Sequence, residues 1–317
     1  METIKSFAQK LKEEKKVAIF SHVRPDGDTI GSAFALKMAL EKLGILADLF
    51  CDEEISEKFN FILLGETFKK TLTDSYTAFI AVDSADITRL GNFAEHFSYH
   101  KRTYNLDHHI SNTRYAKYNL VIDNASNSEN VYDLILELGV QIDEKIAKAL
   151  ALGITTDTGA FKHKNLTSKT LEVASKLKDL GADYNAIIYN TFTKQSKQRA
   201  KLFALVMSKI RYLLDDRFAV ITVLLDDIQK VGAKSDDTEG FIDFIMGIDC
   251  VEVGACLLEM TKNNYKISFR SKSADVNSVA SVFGGGGHVL ASGCRISGDL
   301  EEVIDKIRYA VKQRLVD

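Results

Sequence analysis

Short runs of β-branched and aromatic residues alternate with helical patterns through the first part of this chain, and that alternation limits the fold more than any other feature. VAIFS (17–21), ADLFC (47–51), AFIAVD (78–83) and TYNLD (103–107) have the composition and length of buried strands. TIGSAFALKMALEKLG (29–44) and SENVYDLILELG (128–139) read as helices, each closing on a glycine suited to the left-handed residue that ends a helix. Strands separated by helices pair in parallel, so a largely parallel sheet covered on both faces is expected.

From about residue 205 the pattern changes. KIRYLL (209–214) and FAVITVLL (218–225) flank Asp215-Asp216 as the arms of a hairpin would, and CVEVGACLLEM (250–260) and NYKISFR (264–270) read as further strands. A helix over 299–315 closes the chain. The expected fold class is α/β in two domains: a larger N-terminal domain (1–190) with a mainly parallel sheet flanked by helices, and a smaller C-terminal α/β domain (205–317) with a mixed sheet. A helical linker (191–204) joins them, and the active site is expected in the cleft between. The basic residues of that linker, Lys194, Lys197, Arg199 and Lys201, read as a solvated helix face. A length of 317 residues suits two cores better than one.

The formal net charge of −3 argues against a protein that coats long nucleic acid, because such binding neutralises many phosphates at once. It leaves room for a short, multiply charged ligand held through metal ions. The four cysteines, Cys51, Cys250, Cys256 and Cys294, have no CxxC spacing, which fits reduced thiols in the cytoplasm. The N-terminus carries Ile4, Phe7, Ala8 and Leu11 at helical spacing with charges between them, unlike a signal peptide, and no stretch approaches membrane-spanning length.

Ionisable residues recur where the strands end. Asp26 and Asp28 follow VAIFS, AFIAVD ends at Asp83, TYNLDHH delivers Asp107, His108 and His109, and GITTDTGAF places Asp157 beside two glycines. In an open α/β sheet, ligands bind outside the carboxyl ends of the strands. Taken singly, Asp28 reads as a helix cap, Asp83 and Asp157 as turn residues, and His108 as a core histidine. Taken together, so many carboxylates in one place repel one another unless cations neutralise them. Carboxylates with imidazole and no thiolate suit Mn²⁺, with Mg²⁺ or Co²⁺ as alternatives. The donors are too many for one ion with an open position, so two divalent ions are expected, the arrangement that serves in-line phosphoryl displacement.

HVRPDGD (22–28), AVD (81–83), LDHH (106–109) and TTDTG (155–159), in this order, resemble the four signatures of the DHH phosphoesterase superfamily. GGGGHVLASG (284–293) resembles the glycine-rich motif of the DHH-associated C-terminal domain, so the resemblance spans nearly the whole chain. It implies one ion held by His22, Asp26 and Asp83 and another by Asp28, Asp83, His108 and Asp157, with Asp83 bridging and a water activated between the ions. Asp107 would orient a ligating imidazole, and His109 would contact the scissile phosphate or protonate the leaving oxygen. In the second domain Arg270 and Ser271 of SFRSK, Gly285, Gly286, Gly287 and His288 would bind substrate phosphate, the consecutive glycines letting backbone N–H groups form an anion nest. Phe161 reads as a core aromatic.

The compact two-domain form is similar to the NrnA-type members of the superfamily, which implies hydrolysis of short RNA oligonucleotides (nanoRNA) to mononucleotides and of 3′-phosphoadenosine 5′-phosphate to AMP. Other readings stay open: a linear or cyclic dinucleotide phosphodiesterase, a RecJ-like single-strand exonuclease, or a catalytically idle nucleotide-binding module. The expected partners are a short single-stranded RNA or nucleotide substrate, no membrane, and at most a second copy of the chain as a homodimer.

Overall fold

The computed structural model describes residues 2–73 and 75–315. The chain divides into two compact units, Met1–Lys194 and Gln195–Asp317. The first contains α1 (Ile4–Leu11), β1 (Lys16–Phe20), α2 (Gly27–Lys42), β2 (Leu46–Phe50), α3 (Asn60–Leu63), β3 (Ala78–Val82), α4 (Ala94–Tyr99), β4 (Thr103–Asp107) and β5 (Tyr118–Val121), then α5 (Asn127–Glu137), α6 (Glu144–Asp157), α7 (Ser168–Asp179) and α8 (Tyr184–Ile188). TYNLD is a strand over the residues expected, and the three earlier strands each begin or end within one residue of expectation. Strand β5 was not foreseen: of its four residues only Leu120 is buried, too little for an apolar pattern.

The five strands are all parallel, in the order β2-β1-β3-β4-β5. From β1 the chain moves to one side of the sheet and from β3 to the other. Connections that diverge in this way leave a crevice at the carboxyl ends of β1 and β3. Both faces are covered, as a parallel sheet requires. Val17, Ile19, Ile80 and Val82 enter a core shared with α2, α5 and α6, while Ala18, Phe20, Phe79 and Ala81 enter a second core on the opposite face. There the ring of Phe20 lies 5.0–6.0 Å from those of Phe79, Phe50, Phe93 and Phe97.

Helices α2 and α6 touch backbone to backbone. A Cβ on Gly31 would stand 2.3 Å from the carbonyl oxygen of Ala149, so only glycine allows the approach. This contact matters to the site because α2 carries Asp28 and α6 ends at Asp157.

The second unit contains α9 (Lys197–Met207), β6 (Arg211–Leu213), β7 (Phe218–Val223), α10 (Leu225–Val231), α11 (Phe241–Met246), β8 (Val253–Thr261), β9 (Asn264–Ser271), α12 (Val276–Ser281), β10 (Gly286–His288), β11 (Ala291–Ser297) and α13 (Leu300–Lys312). Its sheet runs β10-β11-β9-β8-β7-β6 and is mixed, with only β7 and β8 parallel. One face packs on α12 and α13 through Ile267, Phe269, Val279 and Ile304. The other packs on α9 and α11 through Leu202, Val206, Phe241 and Ile245. The segment expected as a linker is thus shared: 191–194 end the first unit, and α9 contributes to the second unit's core.

Among the described residues no helix is long and apolar enough to cross a membrane. All four cysteines carry free thiols.

Gly31→Val should destabilise the protein by about 1–3 kcal/mol, the cost of overpacking a tight contact. Thermal or urea denaturation measures it, and an unchanged midpoint would mean that α2 and α6 are not this close.

Candidate metal centre

The acids and imidazoles gather at one edge of the parallel sheet, each delivered by the end of a secondary element. His22 follows β1. Asp26 is the N-cap of α2, its Oδ1 accepting from the amides of Asp28 and Thr29 at 3.1 Å each. Asp28, which alone reads as a cap, instead sits inside the first turn of α2 and is buried. The N-terminus of α5 holds it: Asn127 N donates to Oδ2 at 2.6 Å, and Ser128 N and Oγ donate to Oδ1 at 3.0 and 2.6 Å. Free amides at a helix start favour an anion, so α5 fixes this carboxylate in place.

Asp83 follows β3 with φ of +54°, a left-handed conformation rare for a residue with a side chain. Strain of this kind persists where the surrounding fold over-determines it, and here it turns the carboxylate inward. Asp107 ends β4, with His108 and His109 beyond it. Asp157 comes from the C-terminus of α6 rather than from a strand.

Asp83 lies at the middle of the group. Its Oδ2 is 3.5 Å from His22 Nε2, which is also 3.7 Å from Asp26 Oδ2. Its Oδ1 is 3.4 Å from His108 Nε2, which is also 3.7 Å from Asp157 Oδ2. These separations are long for hydrogen bonds and suit pairs of donors that each stand about 2 Å from a shared ion. Donor atoms of His22, Asp26 and Asp83 lie within 4.8 Å of one another, as do those of Asp28, His108 and Asp157, and of Asp83, His108 and His109. Both central imidazoles are oriented for ligation. His22 Nδ1 stands 2.8 Å from the carbonyl oxygen of Val23 and His108 Nδ1 is 3.1 Å from that of Asn124, contacts that hold the rings with Nε2 turned to the acids. The residues present therefore fit divalent cations.

The electrostatics agree. Burial opposes charge on His22, yet the facing carboxylates of Asp26 and Asp83 outweigh it and push its pKa up to about 10. His108 is likewise raised to about 10 by Asp83, Asp28 and Asp157 against burial. Burial raises Asp28 well above the carboxylate range, with Asp83 and Asp157 adding to it. Burial also lifts Asp157 to about 6, aided by Asp83 and Asp26 and opposed by His108.

Asp107 is fully buried and binds His109, Nδ1 to Oδ1 at 2.8 Å. The imidazole that it orients is thus His109, not the ligand-type ring of His108, because a carbonyl already holds His108. Asn112 Nδ2 donates to Asp107 Oδ2 at 2.6 Å and to Asn105 Oδ1 at 2.7 Å, completing the support. Sequence reasoning missed Asn112, Ser128 and Arg89. Arg89 is exposed, and its Nη2 stands 2.9 Å from His22 Nδ1. None of the three sits in a pattern that marks it; only folding brings them to the site. Phe161 is half-buried against the core, its ring 5.6 Å from that of Tyr184.

In the second unit Arg270 lies on β9 and Gly286–His288 form the edge strand β10. Gly286 and Gly287 do not form the expected anion nest, because they belong to a strand that pairs antiparallel with 291–293. Glycine is needed there for closeness: a Cβ on Gly285 would stand 2.2 Å from the carbonyl oxygen of Gly293, and one on Gly287 2.6 Å from that of Ala291. Ser271 alternates to the face opposite Arg270, and its Oγ accepts from the amides of Ser273 and Ala274, so it secures a turn.

Residues 16–154 match the DHH family N-terminal domain and 215–317 match the DHHA1 domain. The chain is 30% identical to the bifunctional oligoribonuclease and PAP phosphatase NrnA of Thermus thermophilus, over 95% of this chain and 91% of that one. It is 26% identical to the protein of the same description in Bacillus subtilis, over 88% and 89%. A crystal structure of an exopolyphosphatase-related protein from Bacteroides fragilis has the same fold, with a TM-score of 0.88 at 24% identity over 98% of this chain and 95% of that one. The chain belongs to the DHH phosphoesterases that carry a DHHA1 domain and, within them, to the NrnA family.

Ions must displace the protons on His22 and His108, whose raised pKa values keep them charged through neutral pH. Calorimetry in buffers of different ionisation enthalpy should show proton release on Mn²⁺ binding, with affinity tightening as pH rises from about 6 to about 8. Affinity independent of pH would remove both histidines from the ligand set.

Proposed function

We propose that this protein is a Mn²⁺-dependent two-metal phosphodiesterase that releases mononucleotides from short RNA oligonucleotides and removes the 3′-phosphate of 3′-phosphoadenosine 5′-phosphate. The observation that carries the reading is the position of Asp83, whose two oxygens face His22 and His108 separately, as a bridging ligand's would. Kinship supports the substrate class, since the relatives from Thermus thermophilus and Bacillus subtilis are described as oligoribonuclease and PAP phosphatase. The nearly neutral charge fits substrates with few phosphates, and a cytoplasmic location fits such substrates.

His22, Asp26 and Asp83 would hold one ion, and Asp28, Asp83, His108 and Asp157 the other. Two such ions lower the pKa of an attacking water and neutralise charge developing on the phosphate. A mixed carboxylate and imidazole donor set favours Mn²⁺ over Mg²⁺. The chain does the rest. The α5 amides keep Asp28 in one orientation, so the cluster is arranged before substrate arrives. Asp107 engages Nδ1 of His109 and leaves Nε2 free to donate to the phosphate or the leaving oxygen. Arg270 and His288, on the second unit's sheet, would bind a substrate phosphate, with Gly286 and Gly287 in a strand that lies flat against β11.

Mononucleotide release should be measured with Mn²⁺ on a diribonucleotide, a long single strand and 3′-phosphoadenosine 5′-phosphate. The dinucleotide and the bisphosphorylated nucleotide should turn over faster than the long strand, and Asp83→Ala should fall to background. His109→Ala should lower kcat by roughly 10²–10⁴-fold, the usual worth of a positioned proton donor. Preference for the long strand would move the protein to the RecJ-like exonucleases. Substantial turnover by Asp83→Ala would end the two-metal reading.

A further inference from the structure

Ser84, next in the chain after Asp83, is fully buried, and its carbonyl oxygen is met by three side chains from β4 and the loop beyond it. Tyr115 Oη donates to it at 3.1 Å and Asn105 Nδ2 at 3.2 Å, while Asn112 Nδ2 stands at 3.3 Å. The three are also tied to one another. Asn105 Nδ2 donates to Tyr115 Oη at 3.1 Å, and Asn112 Nδ2 donates to Asn105 Oδ1 at 2.7 Å. The network ends at Asp107, whose Oδ2 accepts from Asn112 and whose Oδ1 holds His109. Thr113 N adds a backbone clasp, donating to the carbonyl oxygen of Ala85 at 2.9 Å.

This network lies where the sheet stops holding its own strands. Pairing of β3 with β4 runs out as Asp83 N donates to the carbonyl oxygen of Leu106 at 3.0 Å. Beyond that bond one chain enters the left-handed turn at Asp83, and the other carries His108 and His109. A connected polar network in a buried place is stiff, because each group has its partner and a low dielectric strengthens every bond. It joins the peptide that follows Asp83 to the acid behind His109, whose Nδ1 is 3.8 Å from Asp83 Oδ1. Tyr115 anchors the loop from outside, its ring 5.6 Å from that of Phe97.

We propose that Asn112 and Tyr115 are positioning residues, which act through the Ser84 carbonyl and Asp107 to hold His109 in register with Asp83 for proton delivery to the leaving oxygen. The inference rests on the function proposed above and deepens it. As the water oxygen bonds to phosphorus, the bond from phosphorus to the leaving nucleoside oxygen breaks. That oxygen keeps the electron pair and takes the proton of His109 Nε2, and the proton shed by the water restores the donor. A misplaced donor costs most where the leaving group most needs its proton.

The test uses Asn112→Ser, whose side chain is too short to reach Asp107, and Tyr115→Phe, which keeps the ring and loses the hydroxyl. Thermal denaturation follows the fold, and calorimetry follows Mn²⁺ affinity. One substrate is a diribonucleotide, whose alkoxide leaving group needs a proton. The other is the p-nitrophenyl ester of a nucleoside 5′-phosphate, whose phenolate leaves without one. Asn112→Ser should lower kcat on the diribonucleotide by roughly 10–100-fold, part of what the donor itself supplies, and Tyr115→Phe should lower it less. KM and Mn²⁺ affinity should change little, and each loss should be several times smaller on the nitrophenyl ester. Adding His109→Ala to Asn112→Ser should cost little beyond His109→Ala alone, because both act on one proton. Equal losses on the two esters, Mn²⁺ affinity that falls in step with kcat, additive losses, or unchanged diribonucleotide turnover would each overturn the proposal. Magnetic resonance of metal-free protein carrying isotope-labelled histidine decides it without turnover. The Nδ1 proton of His109 should exchange with water about tenfold faster in Asn112→Ser than in the wild type. A wild-type protein that hydrolyses neither ester would remove the phosphodiesterase reading, whereas unchanged exchange in the variant would remove the positioning role.

Discussion

Asp28 and Asp83 are buried within each other's field, with Asp157 beside them, and this confinement of negative charge organises the first unit. Ionised carboxylates away from water need compensation, or they take up protons. The structure compensates each one differently. Asp28 receives the amides that begin α5, Asp26 receives those that begin α2, and Asp107 receives Asn112 and His109. Asp83 faces imidazoles on both oxygens, His22 on Oδ2 and His108 and His109 on Oδ1, at separations that leave room for cations. The acids around His22 and His108 raise the pKa of both rings, so protons and cations compete for the same place.

Holding that cluster together takes rigid support from outside it. The left-handed turn at Asp83 and the contact of Gly31 with Ala149 both force groups closer than default geometry allows. Behind them, rings packed around Phe20 stiffen the face of the sheet away from α2 and α6. A shift of about 1 Å in α6 would move Asp157 relative to His108 and spoil a shared ligand geometry, which is why a glycine far from the reacting atoms bears on the site.

The second unit uses backbone where the first uses side chains. Glycines at 285 and 287 let β10 lie against β11 without side chains between them, so His288 is carried on a flat edge strand. The charged residues Arg270, Lys266 and Arg295 then fall on one face by alternation alone. A basic face without acidic partners is uncommon in a protein whose overall charge is −3, and it concentrates what positive potential the unit offers to a phosphate-bearing ligand.

The sequence by itself determined the α/β alternation, most strand positions, and which acids and histidines stand where elements end. Periodicity and strand composition are local properties, and the motifs around His22, Asp83, His108 and Asp157 are contiguous runs that resemble a known family. Only the tertiary structure decided which groups serve which. It made Asp26 rather than Asp28 the cap of α2, gave Asp107 to His109 rather than His108, replaced the nest of glycines by a strand, and brought Asn112 and Ser128 into the support. Those outcomes depend on side chains as much as 100 residues apart, such as Ser128 and Asp28, whose meeting no local pattern records. Lys266 and Arg295 show the same limit: they stand 29 positions apart in the chain, and only the register of two antiparallel strands makes them neighbours.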